Sequence, residues 1–421
     1  MGFFTSVDMT DVQRLRVVED SKRRSGLSDL IGRCGGYRGP LYNEHYSKNI
    51  LFRIYVHLTD LAVWINYITM IAAAMKSQSV LEFAMVGFPI SAESLSLFLS
   101  YYSGYKNAEM TEVLLGFDDC FDDDPYPQHL EMEIRKSADY YHHFSRSLLW
   151  LQVFTMQIYC FLFPVTNELM HDFFRPRALP LPSLYPCDWK ESRSCFIMII
   201  FIHFLGATYV NWKIIGFGEV FFSMVSRQVA LFRHLNHNLN QILTSVHVST
   251  DGTVIYRVDK EIDHIYIKSA LRKWIKHHQN VMTQYDRLQT LYSWPLFVHF
   301  GLVSGALCCS AYATSDETLD FDANLLCGGF LVGQMLELFY LCRMGDWITI
   351  ETNELTLALT GSYTFVLDRI ESQMLRIILS RVHRPSVMRA VGLYPLNTST
   401  LKMLIQSTYS YYTMLKKVNR G

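Results

Sequence analysis

The feature that most constrains this chain is the recurrence of long apolar stretches with few charges. Residues 49–75 contain one acid, Asp60, over a length sufficient to cross a bilayer as a helix. Residues 80–102 form a second stretch, but they carry Glu82, Pro89 and Glu93. Such a segment must be shielded by protein rather than face lipid all round. Further stretches lie at 147–165, 195–215, 291–313 and 325–341, and the helix of the fourth is expected to continue through 217–231. A seventh, 401–415, is short and rich in hydroxyls. It reads as a poor lipid-facing helix and a better water-lining one, because Ser and Thr on one face can meet a wet lumen. The expected fold class is all-α: a seven-transmembrane helical membrane protein.

Composition agrees with large polar parts between the spans. The chain is 50% hydrophobic but still 18% charged, and its mean hydropathy is only +0.11. Seven helices of about 20 residues would use about a third of its 421 residues. A formal net charge of −1 excludes a general electrostatic nucleic-acid binder.

The connections alternate in charge. The first 48 residues are basic, with Arg14, Arg16, Lys22, Arg23 and Arg24, and no apolar signal region follows them. The 231–290 connection carries Arg233, Arg257, Lys260, Lys268, Arg272, Lys273 and Lys276, whereas 315–322 holds Asp316, Glu317, Asp320 and Asp322. The positive-inside rule then places the amino terminus and the loops after the second, fourth and sixth spans in the cytosol. Apolar residues at Ile262, Ile265, Leu271, Ile275 and Met282, and again at Val366, Ile370, Met374, Ile377 and Ile378, recur at about 3.6 residues. These stripes predict cytosolic helices that bury one face. The resulting division is 1–48 cytosolic, 49–231 spans one to four with an outer loop at 167–194, and 232–290 a cytosolic anchor. Spans five and six then occupy 291–343, 344–400 is a cytosolic anchor helix, and 401–421 is the last helix with an outer carboxyl terminus.

Few residues carry a chemical signature. No hydrolase elbow, zinc-protease, Walker or dinucleotide pattern is present, so no enzyme, metal or cofactor reading has support. The run Phe117–Asp124 lacks the Gly and terminal Glu of a calcium loop and reads as a solvated acidic loop. His142-His143 and His277-His278 are adjacent pairs, which do not share a helix face. Cys187 and Cys195 read as free thiols, with a bridge in the outer loop as the alternative. His203 and His299 are expected to be satisfied by backbone groups. Asp60, Glu82, Glu93 and Glu337 stand out because ionisable groups at membrane depth are costly and often functional. The alternative for Glu93 and Glu337 is a place near the cytosolic edge from which they snorkel toward water. On the last span Ser407, Tyr411, Met414 and Val418 form one stripe at helical spacing.

Several of these segments resemble the insect odorant receptors. The closing run Tyr394-Pro395-Leu396-Asn397, followed by Ser407-Thr408-Tyr409-Ser410-Tyr411-Tyr412, is similar to that family's final signature. So are Leu184-Tyr185-Pro186-Cys187-Asp188 in the outer loop and Tyr340-Leu341-Cys342-Arg343-Met344-Gly345-Asp346 at the end of the sixth span, where the family pattern ends in Gly-Asn. The resemblance implies a tetrameric, odorant-gated, non-selective cation channel at the plasma membrane of olfactory neurons. It also implies a tuning subunit that partners the universal co-receptor, with a homotetramer as the alternative. Four copies of the last helix would line the pore, with Met414 and Val418 at its apolar constriction. The ligand, a small volatile apolar molecule, would bind in the outer half of the second, third, fourth and sixth spans. There the sequence offers Phe83, Phe88, Met156, Tyr159, Ile200, Phe204 and Phe330, with Gln334 as a polar contact. Membrane lipid is the remaining partner. A seven-helix receptor without its own pore predicts an outward amino terminus, and a transporter predicts internal repeats; neither pattern is seen. The gustatory-type closing motif is absent too.

Overall fold

The computed structural model describes residues 50–122, 179–244, 264–316, 318–319, 321–360, 369–384 and 386–420. The expected segment 1–48, the third span at 147–165 and the pair His142-His143 lie outside the described residues. So do Met156 and Tyr159. Eight helices are described: α1 (Ile50–Lys76), α2 (Val80–Tyr105), α3 (Asn107–Asp122), α4 (Arg193–Thr244), α5 (His264–Thr314), α6 (Phe321–Thr360), α7 (Arg369–Val382) and α8 (Thr398–Arg420). A small antiparallel hairpin, β1 (Arg389–Ala390) and β2 (Tyr394–Pro395), precedes α8. Five of the helices (α1, α2, α4, α5 and α6) are long and apolar enough to cross a membrane. The protein is an all-α membrane protein.

Local chemistry sets the helix boundaries. Ser79 caps α2 by accepting the Glu82 amide at 3.1 Å, and Glu82 reaches back to the Gln78 amide at 2.8 Å. This is a reciprocal cap of the kind that satisfies amides left unpaired at a helix start. α4, α5 and α6 continue far past their apolar stretches, to 52, 51 and 40 residues. At 1.5 Å per residue α4 is about 78 Å long, more than twice a hydrocarbon core. The expected break between an apolar span and a separate polar helix is therefore absent in α5 and α6, while α4 runs on through 217–231 as expected and beyond, to Thr244. Hydropathy changes along them while the hydrogen-bond ladder does not. Pro295 lies inside α5 without ending it. A proline there frees the carbonyl four residues earlier, and the Tyr102 hydroxyl of α2 donates to that carbonyl, Leu291, at 2.6 Å.

The molecule has two zones. At one end, the loop end, the α1–α2 turn, residues 179–192 and the α5–α6 turn come together. Beyond the other end of α2, the extended halves of α4, α5 and α6 pack with α3, α7 and the hairpin. One apolar cluster fills this extension and rises between the spans, with Phe221, Tyr292, Leu235, Leu271, Ile348 and Leu355 all buried. Phe117 and Cys120 of α3 belong to it. The acidic run expected as a solvated loop is thus helical as far as Asp122, with Phe117 and Cys120 turned inward. Trp274 donates to the Leu235 carbonyl at 2.9 Å, and Arg233 meets Glu351 at 2.6 Å. The hairpin docks on α5 through Gln289, whose side-chain amide both accepts from the Arg389 N–H (2.8 Å) and donates to its carbonyl (2.6 Å). Its turn requires positive φ at Val391 and Gly392, and the Val391 amide is held by Ser293 Oγ at 2.9 Å.

Candidate ligand site and pore helix

The loop after the third predicted span folds down onto the bundle. The Leu184 amide donates to the Thr69 carbonyl of α1 at 3.1 Å. The next residue, Tyr185, donates to Asn66 Oδ1 at 3.4 Å and packs its ring against His203 of α4, centroids 5.8 Å apart. Ser183 Oγ lies 2.9 Å from His203 Nε2. Asn66 in turn donates to the Ile202 carbonyl at 3.3 Å, and only glycine fits opposite it: a Cβ on Gly206 would sit 1.8 Å from Asn66 Nδ2. Burial, and then the charge of Glu93, push the Tyr185 phenol above its usual value, against hydrogen bonds from Thr69 and Ser183. Cys187 and Cys195 form a disulfide, correcting the free-thiol expectation and tying the loop to the first turn of α4. Asp188 Oδ1 accepts from the Lys190 amide at 3.0 Å and so folds the intervening turn. His203 has a side-chain partner, not the backbone one expected.

The residues expected to meet ligand are dispersed around this plug. Phe88 of α2 and Phe330 of α6 come together, ring centroids 4.7 Å apart, in a buried cluster with Ala306, Ala313, Leu326 and Cys327. Gln334, one turn further along α6, is buried and donates to Glu337 Oε2 at 3.2 Å. Ile200 is buried and Phe204 half-buried on α4. Phe83 lies on the outer surface of α2 and is 54% exposed. Asn66, Ser183 and Tyr185 are polar residues of the plug that the sequence reading did not single out as a group. The Tyr-Pro-x-Asp stretch contained the signal for Tyr185, but nothing in it named Asn66 as the partner.

Ionisable groups in the spans find one another. Lys213 of α4 pairs with Asp60 of α1, and both side chains are buried. His299 Nε2 of α5 lies 3.0 Å from Glu337 Oε1 of α6. Glu337 and Glu93 are both buried between helices on inward faces of the bundle, which goes against the alternative that they snorkel toward water.

The joint between α6 and α8 gives the Gly345-Asp346 pair a physical role. Gly345 touches the Leu396 carbonyl so closely that a Cβ would lie 2.0 Å from its oxygen. Asp346 accepts from both the amide (3.1 Å) and the hydroxyl of Thr398 in the first turn of α8. Asn397 Oδ1 accepts the Thr400 amide at 2.9 Å. The start of α8 is therefore capped partly by its own residues and partly by α6. From there α8 runs to the loop end, where the Lys416 charge bears on Asp316. Its Leu401 and Thr408 are buried, while Ser407, Tyr411 and Met414 face away from the chain, the last two 62% and 63% exposed. Val418 follows in the last turn of α8, its side chain outside the described residues. Asp316 accepts from the Thr318 amide and hydroxyl, which hold its carboxyl below the usual range.

An all-α bundle with five helices long and apolar enough to cross a membrane, a half-exposed last helix on its flank and a loop folded onto one end is the architecture of a membrane protein. The sequence model of the family described as 7tm Odorant receptor matches residues 79–409, and the chain belongs to that family. Among its relatives, odorant receptor Or1 of Anopheles gambiae is 21% identical over 64% of this chain and 67% of that protein. Odorant receptor 85b of Drosophila melanogaster is 20% identical over 80% and 82%. The match to odorant receptor 67c of Drosophila melanogaster spans about a third of both chains (34% and 35%). In fold, the chain matches the insect olfactory receptor OR5 from Machilis hrabei in complex with eugenol, with a TM-score of 0.78. That match has 15% identity over 96% of this chain and 100% of that one. The same receptor described without eugenol gives a TM-score of 0.75.

Proposed function

We propose that this chain is an odorant-tuning subunit whose last helix lines the pore of a tetramer. Membership of the family makes the chain an odorant receptor, and the insect odorant receptors are odorant-gated cation channels. The observation that carries the finer reading is the outward stripe of α8. In a lone chain, Tyr411 and Met414 are exposed on a helix whose opposite face is buried. Such a stripe is accounted for by copies meeting around an axis, with apolar rings closing a pore by dewetting. Met414 and Val418 form the constriction, with Ser407 and Tyr411 lining the approach.

The topology follows the positive-inside reading, with seven spans and a cytosolic amino terminus. The extension is then an intracellular anchor, and the plug lies at the outer face. The odorant binds in the outer half of the bundle among Phe88, Met156, Tyr159, Ile200, Phe204 and Phe330, with Phe83 toward the lipid side and Gln334 supplying polarity. Eugenol bound to OR5 of Machilis hrabei supports a small, largely apolar ligand here. Few directional contacts imply broad tuning, and gating requires the ligand to favour the open arrangement over the closed one. α6 carries Phe330 near its ligand end and grips α8 through Asp346 about four turns further along, so it connects binding to the pore helix. The partner is the universal co-receptor in a heterotetramer.

Patch-clamp recording of the chain expressed alone and with the co-receptor tests this reading. Ligand-evoked cation current without added nucleotide is expected, and Tyr159→Ala should shift agonist sensitivity while leaving permeation intact. A current that requires nucleotide, or a variant that only loses surface expression, contradicts it.

A further inference from the structure

A cleft of about 870 Å³ opens at the loop end between the last turn of α1, the first turns of α2 and residues 179–190. Small-molecule sites are typically about 300–1,000 Å³. Its walls are apolar, with Leu81, Met85, Val86 and Leu184 among them. None of the described residues assigned above to the odorant lines it. Among the described lining residues, the charged ones are Lys76 and Lys190 and the carboxylate of Glu82. That carboxylate already accepts the Gln78 amide as part of the α2 cap. Lys190 Nζ sits over the Trp189 ring, 5.6 Å from its centroid, and both residues belong to the turn closed by the Cys187–Cys195 disulfide. The cationic side of the cleft is thus built on a cross-linked loop. Its floor includes Ser183, the hydroxyl that meets buried His203.

We propose that this cleft is a second ligand site, which takes an apolar chain ending in a single anion, such as a medium-chain carboxylate. The chain lies along α2, the anion meets Lys76 and Lys190, and the occupant touches the plug at Ser183. The anion has two possible sources, a free acid or an anionic lipid headgroup.

The test uses the full chain in phosphatidylcholine nanodiscs, labelled with a diazirine-bearing decanoate and mapped by mass spectrometry. Label is expected within 73–86 or 179–190, displaced by octanoate and not by octan-1-ol. The double variant Lys76→Gln/Lys190→Gln should weaken labelling by about three- to tenfold, as loss of two exposed charge pairs would. The Lys→Arg pair should retain it, which separates lost charge from lost fold. Phosphatidylglycerol that displaces the label identifies a lipid occupant, and failure to displace identifies the free acid; both support the site. Label elsewhere, equal competition by octan-1-ol, or unchanged labelling in the Gln variant overturns the proposal. Odorant-evoked current in the Gln variant reports on the odorant pocket separately and should persist.

Discussion

α1 and α7 divide polar and apolar residues differently between their outward and inward faces. α1 turns Leu51, Ile54, Leu58, Leu61 and Ile68 outward and buries Thr59, Asp60 and Asn66. α7 buries Leu375, Ile378 and Val382, with Glu371 beside them, and leaves Gln373 and Arg376 exposed together with Ile370 and Ile377. The same α-helical backbone serves both; the solvent differs. In lipid an outward apolar residue loses nothing and an inward polar residue must find a partner, whereas in water the arrangement reverses. The two zones of the molecule are therefore distinguished by which face carries polarity, and α4, α5 and α6 cross from one regime to the other without a break.

This contrast makes its largest prediction at the buried pair. Lys213→Met should remove the ion-pair partner of buried Asp60, costing about 3–5 kcal/mol. It should be read as lost surface expression and a lower unfolding temperature in detergent, and the double variant Asp60→Leu/Lys213→Met should recover most of the loss. A double variant as damaged as the single would place the pair's importance elsewhere. Next comes the outward face. Leu61→Lys on α1 should cost about 2.5–3.5 kcal/mol of insertion, while Gln373→Lys on α7 should stay within about 0.5 kcal/mol. Equal tolerance of the two, measured by glycosylation-tagged insertion and surface labelling, would erase the distinction between the zones.

How much of this was legible in the sequence depends on the scale asked about. The apolar stretches located the starts of α1, α2, α4 and α6 and the end of α5 within a few residues, because hydropathy reports the solvent. They missed the continuity of α5 and α6, and how far past Leu231 α4 runs, for the same reason, since a change of solvent mid-helix looks like an end. Pro295 strengthens that false impression, and only the Tyr102 hydroxyl from another helix removes it. Asp60 and His203 were conspicuous as polar residues in spans, but Lys213 and Ser183, their partners, are chosen by helix packing. The Gly345-Asp346 pair was visible as a family-like motif, yet its reason, the close approach of Leu396 and the capping of Thr398, is a tertiary fact. The Cys187–Cys195 bridge could not be told from two thiols by spacing alone.

The capping role yields a smaller effect. Asp346→Ala should destabilise the α6–α8 joint by about 1 kcal/mol, seen as a shifted agonist dose–response. Asp346→Asn should stay close to the parent, because an amide oxygen can accept the same two hydrogen bonds. An Asn variant as impaired as Ala would show that charge, not capping, matters. Smallest is the acidic loop. The carboxyl of Asp316, held low by Thr318, keeps its charge and its hydrogen bonds above the ordinary carboxylate range and gives them up only as pH falls through the lowered value. Neutralising Asp316, Glu317, Asp320 and Asp322 together tests whether they gather cations at the pore mouth. Because exposed charges are screened, single-channel conductance in physiological salt should change little; a large fall would make the loop part of the conduction path.

The account turns on which side of α8 is wet. Cysteine placed singly at Ser407, Tyr411 and Met414, and at buried Thr408 as a control, can be probed with a water-soluble methanethiosulfonate during agonist application. The pore assignment predicts rapid, irreversible change of current at the first three positions and none at Thr408. Modification at Thr408 alone, or no effect at the outward stripe while agonist still opens the channel, would contradict it.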